Sequence, residues 1–321
     1  MRGWLIYLIT ILLVTALACL TVWLWEPVSQ EIHALSFPVP SNLALPTNNQ
    51  VATLDLWSIP LTLADTNMQQ MPTLSAKSAL VYDITDNTTL FAKDATQRLP
   101  MASLTKIMTA IVSLEHPQNP DAYTVSQKAL VGEDSMGLTT GEVLTLSDLL
   151  YGLILNSGND AAETLAANFP GGRDKFIAAM NEKTATLGLS DTHFTNPTGL
   201  QGDGDQYTTS RDLLIMTRYA LLHFPLFRQV AATFDNTIPA TNTHKAFYME
   251  NETNLISSYP GVKGVKTGYT PEAGLCLVTY LDYGGHHIIG VVLDSESRRD
   301  DMKELLDYSL KKLGVTPPRH G

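Results

Sequence analysis

Strand-like runs lie near both ends of this chain and enclose a long helical stretch, and this order limits the folds that the chain can adopt. Residues 79–82 and 88–91 flank an Asp86-Asn87 turn and predict a hairpin. Helical periodicity is clearest over 106–114, 146–168 and 298–313, and further strands are expected over 261–268, 274–281 and 286–293. This order predicts an α/β (α+β) fold, with one antiparallel sheet flanked by helices and a helical subdomain inserted in its middle connection.

The overall charge of the chain is acidic. It has 21 basic and 32 acidic residues, a formal net charge of −11, and an acidic surface repels phosphate backbones. We therefore expect no nucleic-acid partner. The two cysteines, Cys19 and Cys276, both lie in apolar runs, and no Cys and His residues have the spacing of a zinc site. We expect no disulfide, no metal and no cofactor.

A charge-free apolar run covers residues 4–25, between Arg2 and Glu26. As a helix it would be roughly 33 Å long, enough to cross a bilayer core of about 30 Å. The basic residue before it predicts a single pass through the cell membrane, with the rest of the chain extracytoplasmic. The alternative is a signal peptide cleaved near residues 16–18 (Ala-Leu-Ala), which would give a secreted protein. The apolar run continues beyond that point, which favours the anchor.

These patterns divide the chain into four parts. Residues 1–26 are the anchor or signal segment, 27–72 an extended stalk, 73–316 the globular domain and 317–321 a tail. Repeated prolines prevent long helices in the stalk, and as a coil its ends would lie about 35–40 Å apart. The apolar residues 54–57 are candidates to dock on the domain instead.

The first motif that could carry chemistry is Ser103-Leu104-Thr105-Lys106. Residues three apart on a helix share a face, so the hydroxyl and the amine can touch. A serine needs a base to become a nucleophile, and a lysine is a base only if its pKa falls. The pattern alone is weak, since about one SxxK is expected by chance in a chain of this length. A second copy, Ser309 to Lys312, is interpreted as the solvated face of the last helix.

The second motif is Ser157-Gly158-Asn159, which follows an apolar helical stretch and should project from a buried element. These three residue types also form ordinary turns, so the motif alone favours a helix–helix loop.

The third motif is Lys266-Thr267-Gly268, on the first of the late strands. Glycine inside a strand often marks the close approach of a ligand or another backbone. A cation and a hydroxyl beside it could bind a carboxylate. A strand that simply ends in a turn would have a similar sequence.

The three motifs together are far more specific than any of them alone. Their order, with gaps of about 50 and about 110 residues, is the signature of β-lactamases and penicillin-binding proteins. Over about residues 73–315 the chain resembles the low-molecular-mass D-alanyl-D-alanine carboxypeptidases, serine peptidases of the S11 type. The resemblance includes the segments 99–110, 156–161, 196–200, 207–212 and 261–270.

This resemblance implies a penicillin-binding-protein-like transpeptidase fold and a role for each motif. Ser103 would attack, Lys106 would accept its proton, and Ser157 and Asn159 would assist proton transfer and orient the peptide. The substrate would be bound by Lys266, Thr267, Gly268 and Tyr269, with an oxyanion hole from the backbone N–H groups of Ser103 and Tyr269. The substrate would be a peptidoglycan stem peptide, and β-lactams would be inhibitors.

The chain departs from the family pattern in one place that concerns the substrate. Some members carry an arginine shortly before the KTG strand, thought to help hold the substrate carboxylate, whereas residues 251–254 here are Asn-Glu-Thr-Asn. The carboxylate would then be bound by Lys266 and Thr267 alone.

Two other functions remain open from the sequence. One is a β-lactamase, although Glu163 follows Asn159 too closely to be the deacylating glutamate of class A enzymes and is interpreted as a solvated helix residue. The other is a catalytically silent cell-wall binder or penicillin sensor, against which the intact Ser103, Lys106 and Lys266 argue.

Overall fold

The sheet of the globular domain has five antiparallel strands. The computed structural model describes residues 57–59 and 71–320, all within a compact unit that spans Asp55–Gly321. The five strands are β1 Ser78–Asp83, β2 Thr88–Lys93, β7 Val262–Thr270, β8 Gly274–Tyr283 and β9 His286–Ser295, and their order across the sheet is β2-β1-β9-β8-β7. The predicted hairpin and the three predicted late strands are confirmed. Strand β7 forms one edge of this sheet.

The long connection between β2 and β7 carries the predicted helical insert. Its helices are α1 Lys106–Glu115, α2 Leu146–Ile154, α3 Asn159–Ala167, α4 Arg173–Leu187, α5 Ser210–His223, α6 Pro225–Ala231 and α7 Leu255–Ser258. Two short hairpins lie among them, β3 Tyr123–Thr124 with β4 Val143–Leu144, and β5 Asp235–Ile238 with β6 Phe247–Glu250. The single helix expected over 146–168 is wrong in one respect, because the chain breaks into α2 and α3 around Ser157.

The sheet separates two hydrophobic cores. On one face, Ala79, Val81 and Val292 pack against Leu305 and Leu306 of the closing helix α8, Arg298–Lys312. On the other face, alternate residues of the same strands pack against the insert. The period-two alternation of a strand therefore supplies both cores, and buried side chains on both faces explain why these strands are almost wholly apolar.

Part of the segment interpreted as a stalk packs on the domain. The Trp57 ring meets the Tyr82 ring edge-on at 5.3 Å between centroids, and the Arg218 guanidinium lies 4.1 Å from the Trp57 centroid. Ile59 is buried in the insert-side core. The expected docking of Trp57 is therefore observed.

The predicted anchor, residues 1–26, lies outside the described residues. Within residues 57–59 and 71–320, no helix has the length and apolar character needed to span a bilayer.

The buried carboxylate of Asp301 ties the start of the domain to the closing helix. It accepts hydrogen bonds from the backbone N–H groups of Ser75 and Ala76 and from the hydroxyls of Ser75 and Ser295, at 2.6–2.9 Å. Burial raises the pKa of this carboxyl, but the hydrogen bonds outweigh burial and hold the pKa below its ordinary value. Its contribution to stability is therefore present near neutral pH and is lost as acidification protonates it.

We expect Asp301→Asn to lower the free energy of unfolding at pH 7 by about 2–3 kcal/mol, because the amide replaces an acceptor by a donor that faces other donors. Asp300→Asn is the control, since Asp300 is exposed on the same turn and makes one exposed hydrogen bond, to Ser297. Urea unfolding of both variants measures the difference. Equal stability of the two variants would show that the Asp301 contacts contribute nothing.

Candidate active site

Lys106 is fully buried, and its Nζ contacts three oxygen atoms from three parts of the chain. Ser103 Oγ, Asn159 Oδ1 and the carbonyl oxygen of Thr198 each lie 2.8 Å away. The SxxK and SxN motifs, predicted from separate elements, therefore meet at a single amine. The contact from Thr198 was not predicted, although its segment was among those that carried the family resemblance.

The Ser103 hydroxyl stands at the start of α1, in a short 3-10 turn formed by Ala102–Thr105. Ser103 is partly exposed, while Ala102 and Leu104 on either side are buried. Ala102 has a left-handed φ of 47°, a backbone state that costs a non-glycine residue on the order of 1 kcal/mol. Gly199 packs directly against this 3-10 turn. Only glycine fits there, because a Cβ on residue 199 would lie 2.0 Å from the Ala102 carbonyl oxygen.

Ser157 lies at the break between α2 and α3. Its φ of 57° is also left-handed, and its side chain is buried. Within the described part of the chain its hydroxyl has no hydrogen-bond partner. Buried hydroxyls are normally paired, so an unpaired one beside Lys106 and Asn159 is a group that a ligand could engage.

Asp160 fixes the loop that covers this break. Its buried carboxylate accepts backbone N–H groups of Met136, Gly137 and Leu138 at 2.9–3.1 Å and the Ser135 hydroxyl at 2.5 Å. Asp160 lies in the segment 156–161 that carries the family resemblance, but no function was predicted for it. Its position directly after Asn159 was the only indication in the sequence that it belongs near the site.

Strand β7 runs beside the serine turn. A Cβ on Gly268 would lie 3.0 Å from the Met101 carbonyl oxygen and 3.1 Å from Ser103 N, so glycine permits this close approach. The side chains of Lys266 and Thr267 are buried, whereas Tyr269 is 61% exposed. The third motif thus lies beside the first, which contacts the second through Lys106, so the segments that carry the eight predicted site residues are neighbours.

Two further charged residues contact this strand and were not predicted as site residues. Arg298 Nη1 donates to the Gly268 carbonyl at 2.8 Å, from the start of α8. The Glu252 carboxylate accepts a hydrogen bond from Thr267 Oγ1 at 3.0 Å and lies 3.8 Å from Lys266 Nζ. Neither contact could be predicted from the sequence, because both depend on how distant segments meet in the folded chain.

The two buried lysines have lowered pKa values. The pKa of Lys106 falls well below its ordinary value, mainly through burial and then through the positive charge of Lys266, with Asp134, Glu252 and Asp160 opposing the fall. Burial also lowers the pKa of Lys266, to about 8, with Glu252 the strongest opposing group. Folding therefore disfavours the charged form of Lys106, whereas Lys266 is mostly protonated near neutral pH.

Two interpretations from the sequence are wrong. Glu163 is not a solvated residue: its side chain is buried, and both oxygens bind the Arg173 guanidinium, at 2.8 and 3.1 Å. Ser309 of the second SxxK pattern does not face solvent but is fully buried, because α8 turns this side toward the sheet. The conclusion that the second pattern forms no site is not affected.

The fold matches that of solved penicillin-binding enzymes. The crystal structure of the Streptomyces K15 DD-transpeptidase superposes with a TM-score of 0.70 at 35% identity, over 75% of this chain and 98% of that one. Penicillin-binding protein D2 of Listeria monocytogenes, bound to cefotaxime, gives a TM-score of 0.65 at 29% identity, over 75% of this chain and 99% of that one. The protein therefore has the fold of the penicillin-binding DD-peptidases.

Sequence comparisons give the family. The family model described as D-alanyl-D-alanine carboxypeptidase, S11 type, matches residues 65–297. The D-alanyl-D-alanine carboxypeptidase of Streptomyces sp. (strain K15) is 37% identical over 74% of this chain and 88% of its own length. The D-alanyl-D-alanine carboxypeptidase DacF of Bacillus subtilis (strain 168) is 34% identical over 75% of this chain, but the match spans only 64% of DacF. The chain belongs to the S11 family of D-alanyl-D-alanine carboxypeptidases.

Proposed function

We propose that this protein is a serine-type D-Ala-D-Ala carboxypeptidase, which removes the terminal D-alanine from peptidoglycan stem pentapeptides during cell-wall biosynthesis and remodelling. The observation that carries the proposal is the set of contacts around Lys106 Nζ. A neutral amine has two N–H groups and one lone pair. Asn159 Oδ1 and the Thr198 carbonyl can only accept, so they take the two N–H groups. The lone pair then faces the Ser103 hydroxyl, as a general base requires.

In the proposed reaction, Ser103 Oγ attacks the carbonyl carbon of the penultimate D-alanine, and its proton moves to Lys106 Nζ. The oxyanion of the tetrahedral intermediate would accept hydrogen bonds from the backbone N–H groups of Ser103 and Tyr269, which lower the barrier because the charge develops only there. The Ser157 hydroxyl would relay the proton from Lys106 to the leaving amine, and the C–N bond breaks to release D-alanine. Water then hydrolyses the ester on Ser103. This sequence needs no metal or cofactor.

Binding of the stem peptide would depend on β7. The Lys266 ammonium and the Thr267 hydroxyl are suited to the terminal carboxylate, and Gly268 lets the peptide lie along the strand edge. Asn159 would orient the peptide through its amide. Because the pKa of Lys266 is about 8, affinity for a carboxylate should fall as the pH rises above that value.

A β-lactamase is the second candidate, and a silent penicillin sensor the third. The pairing of Glu163 with Arg173 argues against the first, because a carboxylate in a bidentate ion pair is poorly placed to activate water. The lowered pKa of Lys106 argues against the sensor, because a binding protein has no need of a neutral buried lysine beside a serine.

We expect Ser103→Ala to abolish both release of D-alanine and labelling by a fluorescent penicillin, without unfolding the protein. Ser309→Ala is the matched control from the second SxxK pattern, and it should retain both activities. In the wild type, slow loss of the label indicates a carboxypeptidase, fast loss a β-lactamase, and no labelling neither. Inactivity of Ser309→Ala with an active Ser103→Ala would refute the assignment.

We also propose that residues 1–26 hold the catalytic domain on the outer side of the cell membrane. The support is the charge-free run of residues 4–25 with Arg2 before it. The full chain should remain in the membrane fraction after a high-salt wash, and external protease should digest its catalytic domain. A mature protein whose first residue is Cys19, or any residue beyond Trp25, would show a cleaved signal instead.

A further inference from the structure

The carboxylate of Glu252 occupies the groups that are suited to the substrate carboxylate. Its Oε2 accepts the Thr267 hydroxyl hydrogen at 3.0 Å and lies 3.8 Å from Lys266 Nζ. Lys266 Nζ is buried, and among the described residues no acceptor is close enough to hydrogen-bond it. An arriving carboxylate would therefore need the same hydroxyl and the same ammonium that Glu252 already engages.

The position of Glu252 is fixed by the backbone around it. The Asn251 side-chain amide donates to the carbonyls of Ala231 and Thr233, at 3.2 and 3.0 Å, and accepts from Thr253 N at 2.9 Å. Glu252 N itself donates to the Leu155 carbonyl at 3.2 Å. Because Asn251 and Thr253 are both buried, the backbone of Glu252 is held in place within reach of Thr267.

The Glu252 side chain itself is not locked in place. It is 40% exposed, against 0% for the Lys266 side chain, so it can turn into solvent when another group displaces it. It also lines an open pocket of about 380 Å³ together with Asp134 and Glu250. A second carboxylate that enters here meets negative charge on several sides, and like charges placed together in a binding site repel each other.

We propose that Glu252 determines specificity by competing with the substrate carboxylate for Lys266 and Thr267. The inference rests on the proposed function, since it concerns the same acyl transfer to Ser103. Glu252 lowers kcat/KM for acyl donors that carry a free carboxylate next to the scissile bond. Donors with a neutral group in that place, such as a C-terminal amide or a leaving amine without a neighbouring carboxylate, escape this penalty. The preference of the enzyme for acids over amides should therefore be smaller than Lys266 and Thr267 alone would give.

The test compares an N-acylated D-alanyl-D-alanine peptide with the same peptide ending in D-alaninamide. For each protein, kcat/KM is measured on both peptides, and the acid-to-amide ratio is the readout. Changes in the basicity of Lys106 affect both peptides equally and cancel in this ratio. Glu252→Gln should raise the ratio by about tenfold or more, because the amide keeps the shape and removes the charge. Glu252→Ala should raise it in the same direction.

Glu250→Gln is the matched control, because it removes one charge from the same pocket two residues away. Its ratio should stay close to that of the wild type. An unchanged ratio in folded, active Glu252→Gln and Glu252→Ala would overturn the inference, as would an equal rise in Glu250→Gln. A wild type that neither cleaves the peptides nor reacts with penicillin at Ser103 would overturn the proposed function, and with it this inference.

Discussion

The site depends on one buried amine. Lys106 loses its water on folding, and an isolated ammonium in that position would be strongly disfavoured. Three oxygen atoms replace the lost water contacts of the amine, while burial and the positive charge of Lys266 lower its pKa. Because Ser103, Asn159 and Thr198 come from three separate segments, Lys106 connects the serine turn, the α2–α3 break and the loop that carries Thr198.

The loops around Lys106 are held by polar groups rather than by regular secondary structure. The Asn196 side-chain oxygen accepts the N–H groups of Thr198 and Gly199, at 3.1 and 2.7 Å, and thereby aims the Thr198 carbonyl at Lys106. The Asp160 carboxylate likewise accepts backbone N–H groups and so holds the loop beside Ser157. Left-handed φ values at Ala102 and Ser157 are retained within this scaffold. Backbone strain of this kind persists only where many surrounding contacts hold the residue in place, which is common at functional sites.

The architecture was largely predictable from the sequence, and the charges around the KTG strand were not. The apolar, strand-like runs over 274–281 and 286–293 predicted β8 and β9, since such runs are local signals. The break at Ser157 had conflicting signals, because the helical periodicity continues through it while Ser, Gly and Asn favour a turn. For Glu252 and Arg298, only the folded chain shows that they reach Thr267 and Gly268. The burial of Ser309 was missed because a serine among charged neighbours resembles a surface residue.

The central claim is that Lys106 is neutral at the pH at which the enzyme works. Protein labelled with ¹³C at lysine Cε reports the charge directly by NMR, and a Lys106→Arg variant assigns the signal. Lys106 should titrate far below the ordinary lysine value of about 10.4. In Lys266→Gln its pKa should be higher than in the wild type, because a neighbouring positive charge is removed. A Lys106 that stays protonated up to pH values near 10 in the wild type would contradict the account.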